Sequence, residues 1–372
     1  MKTRAAVIVE PNTPFILEEI ELLPPQKEEV QIRVAAAGVC RSDWNVLTGD
    51  TKHPMPVVTG HEGAGYVEAV GPGVTHVQPG DRVALNWAPN CGECFYCLND
   101  RPSLCETYVD AIWAGTMMDG TARMFKDGQP LYQFCSLGCF AEHTVVPAIS
   151  CVRIPDGTPL GIAALIGCAV TTGVGAAVNT AKVKAGSNVV VYGAGGVGLN
   201  VVMGAKLSGA KTIIAVDRAP AKREIAISFG ATDYVPAGPG AVEAVRSLTE
   251  GRGADYAFEA TGIPAVQEEC LEAVRPGGLV VFAGLAPMGS VTNLPGAVLT
   301  RTEKTVTGSY YGTTNTKRDF PQYADLYMRG LLDLDRLISK TYSLDEINEA
   351  YADMRTGGMA RGVLVLDESA LA

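Results

Sequence analysis

Ten cysteines occur in this 372-residue chain, and four of them stand close together. Cys91-x-x-Cys94-x-x-Cys97 is followed by Cys105. Four thiolates at such spacing can close a tetrahedral site around one metal ion with no position left open, which is the structural kind of zinc site. An iron–sulfur centre would need a different spacing, and a redox pair would need only two cysteines. A second set is scattered. Cys40 stands in GVCRSD, His61 and Glu62 in GHEGAG, and Cys168 in ALIGCAVTTG. Two cysteines and a histidine on one zinc ion would leave a fourth position for substrate, as catalytic zinc requires. Each also has an ordinary alternative. A free cysteine is usually a buried apolar residue, and an isolated histidine is usually a satisfied core or surface group. Distance along the chain does not join them.

The third chemical feature is Gly193-Ala194-Gly195-Gly196-Val197-Gly198, directly after the apolar run NVVVYG and at the head of a helical stretch. Glycines let the backbone turn tightly and approach a pyrophosphate. The helix N-terminus behind them offers N–H groups and a positive dipole end. The glycine pattern alone is weak evidence, because such a turn can merely pack a helix on a strand. Asp217, nineteen residues after Gly198 at the end of TIIAVD, strengthens it. A carboxylate there accepts hydrogen bonds from the adenosine ribose and repels a 2′-phosphate, which favours NAD over NADP. Arg218 beside it works the other way, since a guanidinium tolerates that phosphate.

The elements that must hold these residues change character along the chain. Residues 1–170 carry short β-like runs between glycine and proline turns, such as RAAVIV, EVQIRVAAAGV, AGYVEAVG and DRVAL. They predict an irregular, barrel-like β domain. From about 171, helical stretches alternate with compact apolar strands (NVVVYG, TIIAVD, ADYAFEA, LVVFAG, TVTGSYYG), the pattern of a parallel sheet covered on both faces. Helical segments and a last strand, RGVLVLD, follow 311. A second domain inserted into the first is expected, with 1–170 and 311–372 in one and 171–310 in the other. Hydrophobic residues make up 47% and charged residues 19%, so a buried core is expected rather than disorder. A net charge of −10 opposes binding to nucleic acid. No stretch approaches the ~18 unbroken apolar residues of a membrane span, and MKTRAAVIVEPNT lacks a signal-type apolar core. A cytoplasmic protein is expected.

Taken together, GVCRSD at 38–43, GHEGAG at 60–65 running on to Gly71 and Val74, CGECFYCLNDRPSLC at 91–105, IGCAVTTG at 166–173, GAGGVG at 193–198, VD at 216–217 and RTGGMARGVLVL near the end resemble the zinc-containing medium-chain alcohol dehydrogenases along essentially the whole chain. The resemblance implies a GroES-like catalytic domain with an inserted Rossmann coenzyme domain, two zinc ions per chain and NAD. It implies that Cys40, His61 and Cys168 ligate the catalytic zinc with Glu62 behind it, and that Asp43 orients His61. Cys91, Cys94, Cys97 and Cys105 would hold the structural zinc. Arg41 and Arg361 would hold the pyrophosphate, Lys222 would reach the ribose beside Asp217, and Thr172 would line the nicotinamide pocket. Ser42 would hydrogen-bond the substrate oxygen and relay its proton. Trp87, Leu285, Tyr310 and either Thr51 or Tyr108 would line the substrate channel, which suits a primary or aromatic alcohol or its aldehyde. Residues 106–140 resemble the longer loop of the dimeric members, so a homodimer is expected.

One position departs from the best-known members, whose proton relay ends in a histidine three residues after this serine. Here it is Asn45, which cannot titrate. Protons are expected to leave through water, with His53 as the alternative carrier. The class that oxidises an S-(hydroxymethyl)glutathione adduct has an arginine four residues after the last structural cysteine. Here that position is Val109, which weighs against a thiol-adduct substrate. A non-catalytic protein that kept zinc and NAD would have lost ligands that are present here. A zinc-ribbon nucleic-acid binder is opposed by the charge, and a zinc-free reductase by the ligands. Asp217→Ser should raise turnover with NADP relative to NAD. NADP turnover that stays where it was would contradict the role given to Asp217.

Overall fold

The computed structural model describes residues 1–371, which divide into two compact units. The first comprises Met1–Cys168, Asn315–Gly330 and the chain from Leu334 onward; the second comprises Ala169–Thr314 and Leu331–Asp333. The divisions fall at 168/169 and 314/315, where the sequence placed them at 170/171 and 310/311.

Two β layers build the first unit. A closed barrel joins Lys2–Ile8, Ile16–Leu22, Met124–Lys126, Gln129–Gln133 and Val57–Val58. A second sheet runs Cys151–Arg153, Arg82–Leu85, Gly63–Val70, Glu29–Val39, Arg361–Val365 and Ile338–Tyr342, with His143–Pro147 also paired to Glu29–Val39. Its central strand, EVQIRVAAAGV, is apolar or small through its second half and is buried there on both faces. Ile32, Val34, Val39, Val67, Val83, Leu85 and Leu364 form one core with Phe134, Phe140 and Tyr351.

Residues 106–140 are not the long loop that the sequence suggested. They contain the helix Val109–Ala114 and a hairpin, Met124–Lys126 with Gln129–Gln133, that closes the barrel. The physical reason is alternation. Met124 and Leu131 point inward and join Val7, Ile20 and Leu22 in the barrel interior. Arg123 anchors the entry to the hairpin. It is buried and donates to both oxygens of buried Glu29 at 2.8 and 2.6 Å, and to Asp119 at 2.6 Å.

The second unit is a six-stranded parallel sheet. Its order is Asp233–Pro236, Thr212–Asp217, Asn188–Tyr192, Ala254–Glu259, Val274–Phe282, Thr305–Gly308. Valine, isoleucine and alanine fill the inner strands because both faces are covered. The direction of winding reverses between Asn188–Tyr192 and Ala254–Glu259. Ligands of such sheets bind outside the carboxyl ends of the strands at that reversal.

Leu160–Thr180 forms one long helical run. Among the described residues it is the one helix long and apolar enough to cross a membrane, although Thr171 and Thr172 break its apolar run. It is almost wholly buried within the protein, so its apolar character is that of a core helix. Two π-helical turns, Ile166–Val170 and Ala176–Thr180, interrupt its α-helical hydrogen bonding.

Arg123→Met should destabilise the protein by about 3–5 kcal/mol, because it leaves Glu29 buried without its partner. Chemical denaturation would show this as a lowered midpoint; an unchanged midpoint would contradict the anchoring role.

Candidate metal centres and nucleotide loop

The donor atoms of Cys91, Cys94, Cys97 and Cys105 all lie within 4.8 Å of one another. Cys91 Sγ is 3.9 Å from Cys97 Sγ, and Cys94 Sγ is 3.9 Å from Cys105 Sγ. Four sulfurs each about 2.3 Å from a tetrahedral ion would be about 3.8 Å apart. Backbone N–H groups of Glu93 and Cys94 point at Cys91 Sγ at 3.4 and 3.2 Å, and that of Cys91 points at Cys105 Sγ at 3.3 Å. Burial opposes the Cys91 thiolate. The Thr107 hydroxyl and these N–H groups outweigh it and pull the thiol down to about 6. The same geometry pushes Cys97 up to about 12, mainly by burial. An ion would bring all four to thiolate, so the donor set fits zinc.

The second cluster unites Cys40, His61, Glu62 and Cys168, all buried, with donor atoms again within 4.8 Å. Strand register brings two of its members together with Arg361. Val39 pairs with Gly362 and Ala37 with Gly63, which sets Cys40, Arg361 and Glu62 side by side at the ends of three neighbouring strands. A Cβ at Gly38 would overlap the Glu62 carboxylate, so only glycine fits there. Cys168 comes from the first π-helical turn of Leu160–Thr180, a feature common at functional sites. Gly167 before it lets the helix close on Leu85, whose carbonyl a Cβ would meet at 2.9 Å.

Asp43 lies 3.0 Å from His61 Nδ1, and its other oxygen accepts from Gly60 N–H at 2.7 Å. That leaves His61 Nε2 for the centre. Burial opposes protonation of His61, but Asp43 and Cys40 overcome it and hold its pKa well above the usual range. The contact with Cys168 lowers Cys40 strongly and raises Cys168 in return. Glu62 is pushed up to about 8 by burial, against the pull of Arg361. Arg361 is itself buried and ion-paired with Glu62. Soft thiolates and an imidazole backed by a carboxylate are donors that suit zinc.

In the second unit the three glycines have separate reasons. Gly193 has φ +97°, in the left-handed region. A Cβ at Gly198 would lie 1.7 Å from the Gly193 carbonyl oxygen, so the helix Gly196–Leu207 could not pack. A Cβ at Gly195 meets nothing within 4 Å, so its surroundings are open. Asp217 ends its strand with one oxygen accepting from Ala194 N–H at 2.7 Å and the other from Ala219 N–H at 2.9 Å.

Residues 26–156 match the family described as alcohol dehydrogenase GroES-like domain, and residues 196–329 match zinc-binding dehydrogenase. The chain is 42% identical to an NDMA-dependent alcohol dehydrogenase of Amycolatopsis methanolica, over 98% of this chain and 99% of that one. It is 40% identical to the class-3 alcohol dehydrogenase of Myxine glutinosa, over 98% and 97%. The crystal structure of benzyl alcohol dehydrogenase from Acinetobacter calcoaceticus superposes with a TM-score of 0.92 at 30% identity, covering 98% and 99%. The chain belongs to the zinc-containing medium-chain alcohol dehydrogenases.

Other residues expected at this alcohol dehydrogenase's site fall as follows. Ser42 is half-buried, with Oγ 3.8 Å from Cys40 Sγ. Arg41 is exposed, its Nε 3.4 Å from Asn45 Oδ1, and Thr51 N–H donates to the Asn45 carbonyl at 2.8 Å. The Trp87 ring stands edge-on to His61 at 6.3 Å. Thr172, Lys222, Leu285 and Tyr310 belong to the other unit; Thr172 and Lys222 are buried, Leu285 and Tyr310 exposed. Burial lowers the Lys222 ammonium against the pull of Asp217. Arg218 is exposed.

Sequence reasoning missed Phe134, whose ring stands 5.5 Å from both His61 and His53. The positive-φ pair Cys135–Ser136 after it marks a constrained turn, and CSLG was the only hint. Cys94→Ser should lower thermal stability before it lowers turnover per folded molecule. Lost turnover with folding and zinc content intact would contradict a purely structural cluster.

Proposed function

We propose that this alcohol dehydrogenase transfers hydride between a primary or aromatic alcohol and NAD, with one zinc ion in each cluster. The observation that carries this reading is the buried Cys40–His61–Cys168 set. Its fourth neighbour, Glu62, is engaged by Arg361, which leaves three protein donors for one ion and a fourth position for a small oxygen ligand. The cysteine-only cluster has no such position.

Bound zinc supplies the positive charge that favours an ionised alcohol oxygen, and bound NAD accepts the hydride. Asp43 fixes the tautomer and ring direction of His61. Ser42, two residues beyond Cys40 on the first turn of Arg41–Thr48, takes the hydroxyl proton of the substrate. Asn45 cannot accept it further, so water carries it away. His53 is a poor substitute. Burial lowers its pKa by more than the Pro54 carbonyl, 2.9 Å from its Nδ1, raises it, so the ring is a weaker base than an exposed imidazole. Trp87 and Phe134 beside His61 give the substrate side an aromatic wall, which suits a flat or unbranched alcohol. Arg41, Thr172, Lys222, Arg361 and Asp217 are proposed to hold the coenzyme, and the assembly is proposed to be a homodimer.

The testing experiment is a screen of primary, secondary, aromatic and thiol-adduct alcohols, read as NADH absorbance. It is run with and without NDMA, on which the Amycolatopsis methanolica relative depends by its name, and the arm with NDMA is read as aldehyde or ketone formed, since an acceptor would reoxidise NADH. Oxidation of benzylic or primary alcohols is expected. Turnover confined to thiol adducts would replace the substrate class, and no turnover of any alcohol or aldehyde would sink the reading. Ser42→Ala should lower kcat about 100-fold or more with zinc content unchanged. His53→Gln should leave the pH profile of kcat unchanged above pH 6.5; an inflection near 7 that His53→Gln removes would make His53 the carrier after all.

A further inference from the structure

Two helices begin beyond the carboxyl ends of the strands that flank the winding reversal. Gly196–Leu207 follows Asn188–Tyr192, and Pro264–Ala273 follows Ala254–Glu259. Each helix presents a positive dipole end and N–H groups without helical partners, so either could attract a pyrophosphate. The surroundings of the two ends differ. Neither helix has a side-chain cap, but at Gly195 no atom would meet an added Cβ. At the other end stands Glu259, fully buried at the last position of its strand.

The Glu259 carboxylate is surrounded by donors. Oε1 accepts from Thr261 N–H at 2.5 Å, Thr261 Oγ1 at 2.5 Å and Gly262 N–H at 2.7 Å; Oε2 lies 3.4 Å from Gln267 Nε2. Gln267 in turn accepts from Thr292 Oγ1. The Glu259 carbonyl accepts from Ala283 and Gly284 N–H at 2.8 and 2.9 Å, and Ala260 N–H donates to the Tyr192 carbonyl at 2.9 Å. Glu259 and Ala260 thus tie together the turns that follow three adjacent strands. The Thr261 methyl also backs the glycine turn: a Cβ at Gly193 would sit 2.7 Å from it.

We propose that Glu259 is a positioning residue for the coenzyme. Its carboxylate takes up the N–H donors ahead of Pro264–Ala273 and, through Thr261, braces the Gly193 turn, so that Gly195–Gly198 is the one anion-binding end at the reversal. This rests on the NAD reading above. A buried carboxylate there would otherwise repel a pyrophosphate, and the donors around it compensate its charge.

The test is NADH titration of the full chain by fluorescence, with thermal midpoint and kcat measured on the same samples. Glu259→Ala should weaken NADH binding about 10-fold or more while kcat at saturating NAD changes far less. Glu259→Gln keeps an acceptor at Oε1 and should recover most of the affinity. Thr261→Val keeps the methyl behind Gly193 but loses the hydroxyl donor, and should give a smaller loss without a change in midpoint. It also decides the matter if Glu259→Ala does not fold. Affinity equal to wild type in Glu259→Ala, or in Thr261→Val when the first variant is unfolded, would overturn the proposal. So would Glu259→Gln binding no better than Glu259→Ala. Wild-type protein that binds no NADH would instead remove the NAD reading, and this inference with it.

Discussion

The C-terminal end of Glu29–Val39 lies between two antiparallel partners, Gly63–Val70 on one side and Arg361–Val365 on the other, and the site of the first unit depends on that pairing. Val39 opposite Gly362 and Ala37 opposite Gly63 set Cys40, Arg361 and Glu62 at adjacent strand ends. A slip of one residue would turn every side chain of a strand to the opposite face. Buried valine, isoleucine and leucine side chains hold the register, so the apolar core determines where the metal donors meet. His61 and Asp43 follow from the same frame, through the Gly60 N–H that Asp43 accepts.

Burial of these groups then sets their chemistry. Asp43, His61, Glu62, Arg361, Cys40 and Cys168 are all shielded from water. In that setting each charge needs a partner. Arg361 answers Glu62, and Asp43 answers His61. The two thiols share a contact that raises one and lowers the other. A divalent cation held by these residues would resolve that competition by making both thiolates favourable at once. The cysteine-only lobe uses backbone N–H groups for the same purpose and leaves nothing open.

Much of this was legible in the sequence, for identifiable reasons. Cys91, Cys94, Cys97 and Cys105 are local, so their spacing already implies a closed site. The Gly193–Gly198 turn and Asp217 are also local to one strand–helix–strand unit. Cys40, His61 and Cys168 were brought together by family resemblance, because nothing in their separation shows that three strands and a π-helical turn converge. The hairpin within 106–140 was hidden because its strands are short and close a barrel with distant partners. Phe134 and Glu259 were hidden for a similar reason. An aromatic residue in a turn and an acid after an apolar strand look ordinary until their neighbours are known.

The central claim is that chemistry resides in the buried Cys40–His61–Cys168 set and that the four-cysteine lobe supports it. Zinc content and alcohol-dependent NADH formation, measured together on wild type and Cys168→Ala, test it most directly. Two zinc ions per wild-type chain are predicted, with one ion and all turnover lost in the variant while its thermal midpoint stays near wild type. A folded Cys168→Ala protein that has lost one zinc ion and still reduces NAD at the wild-type rate would contradict the account.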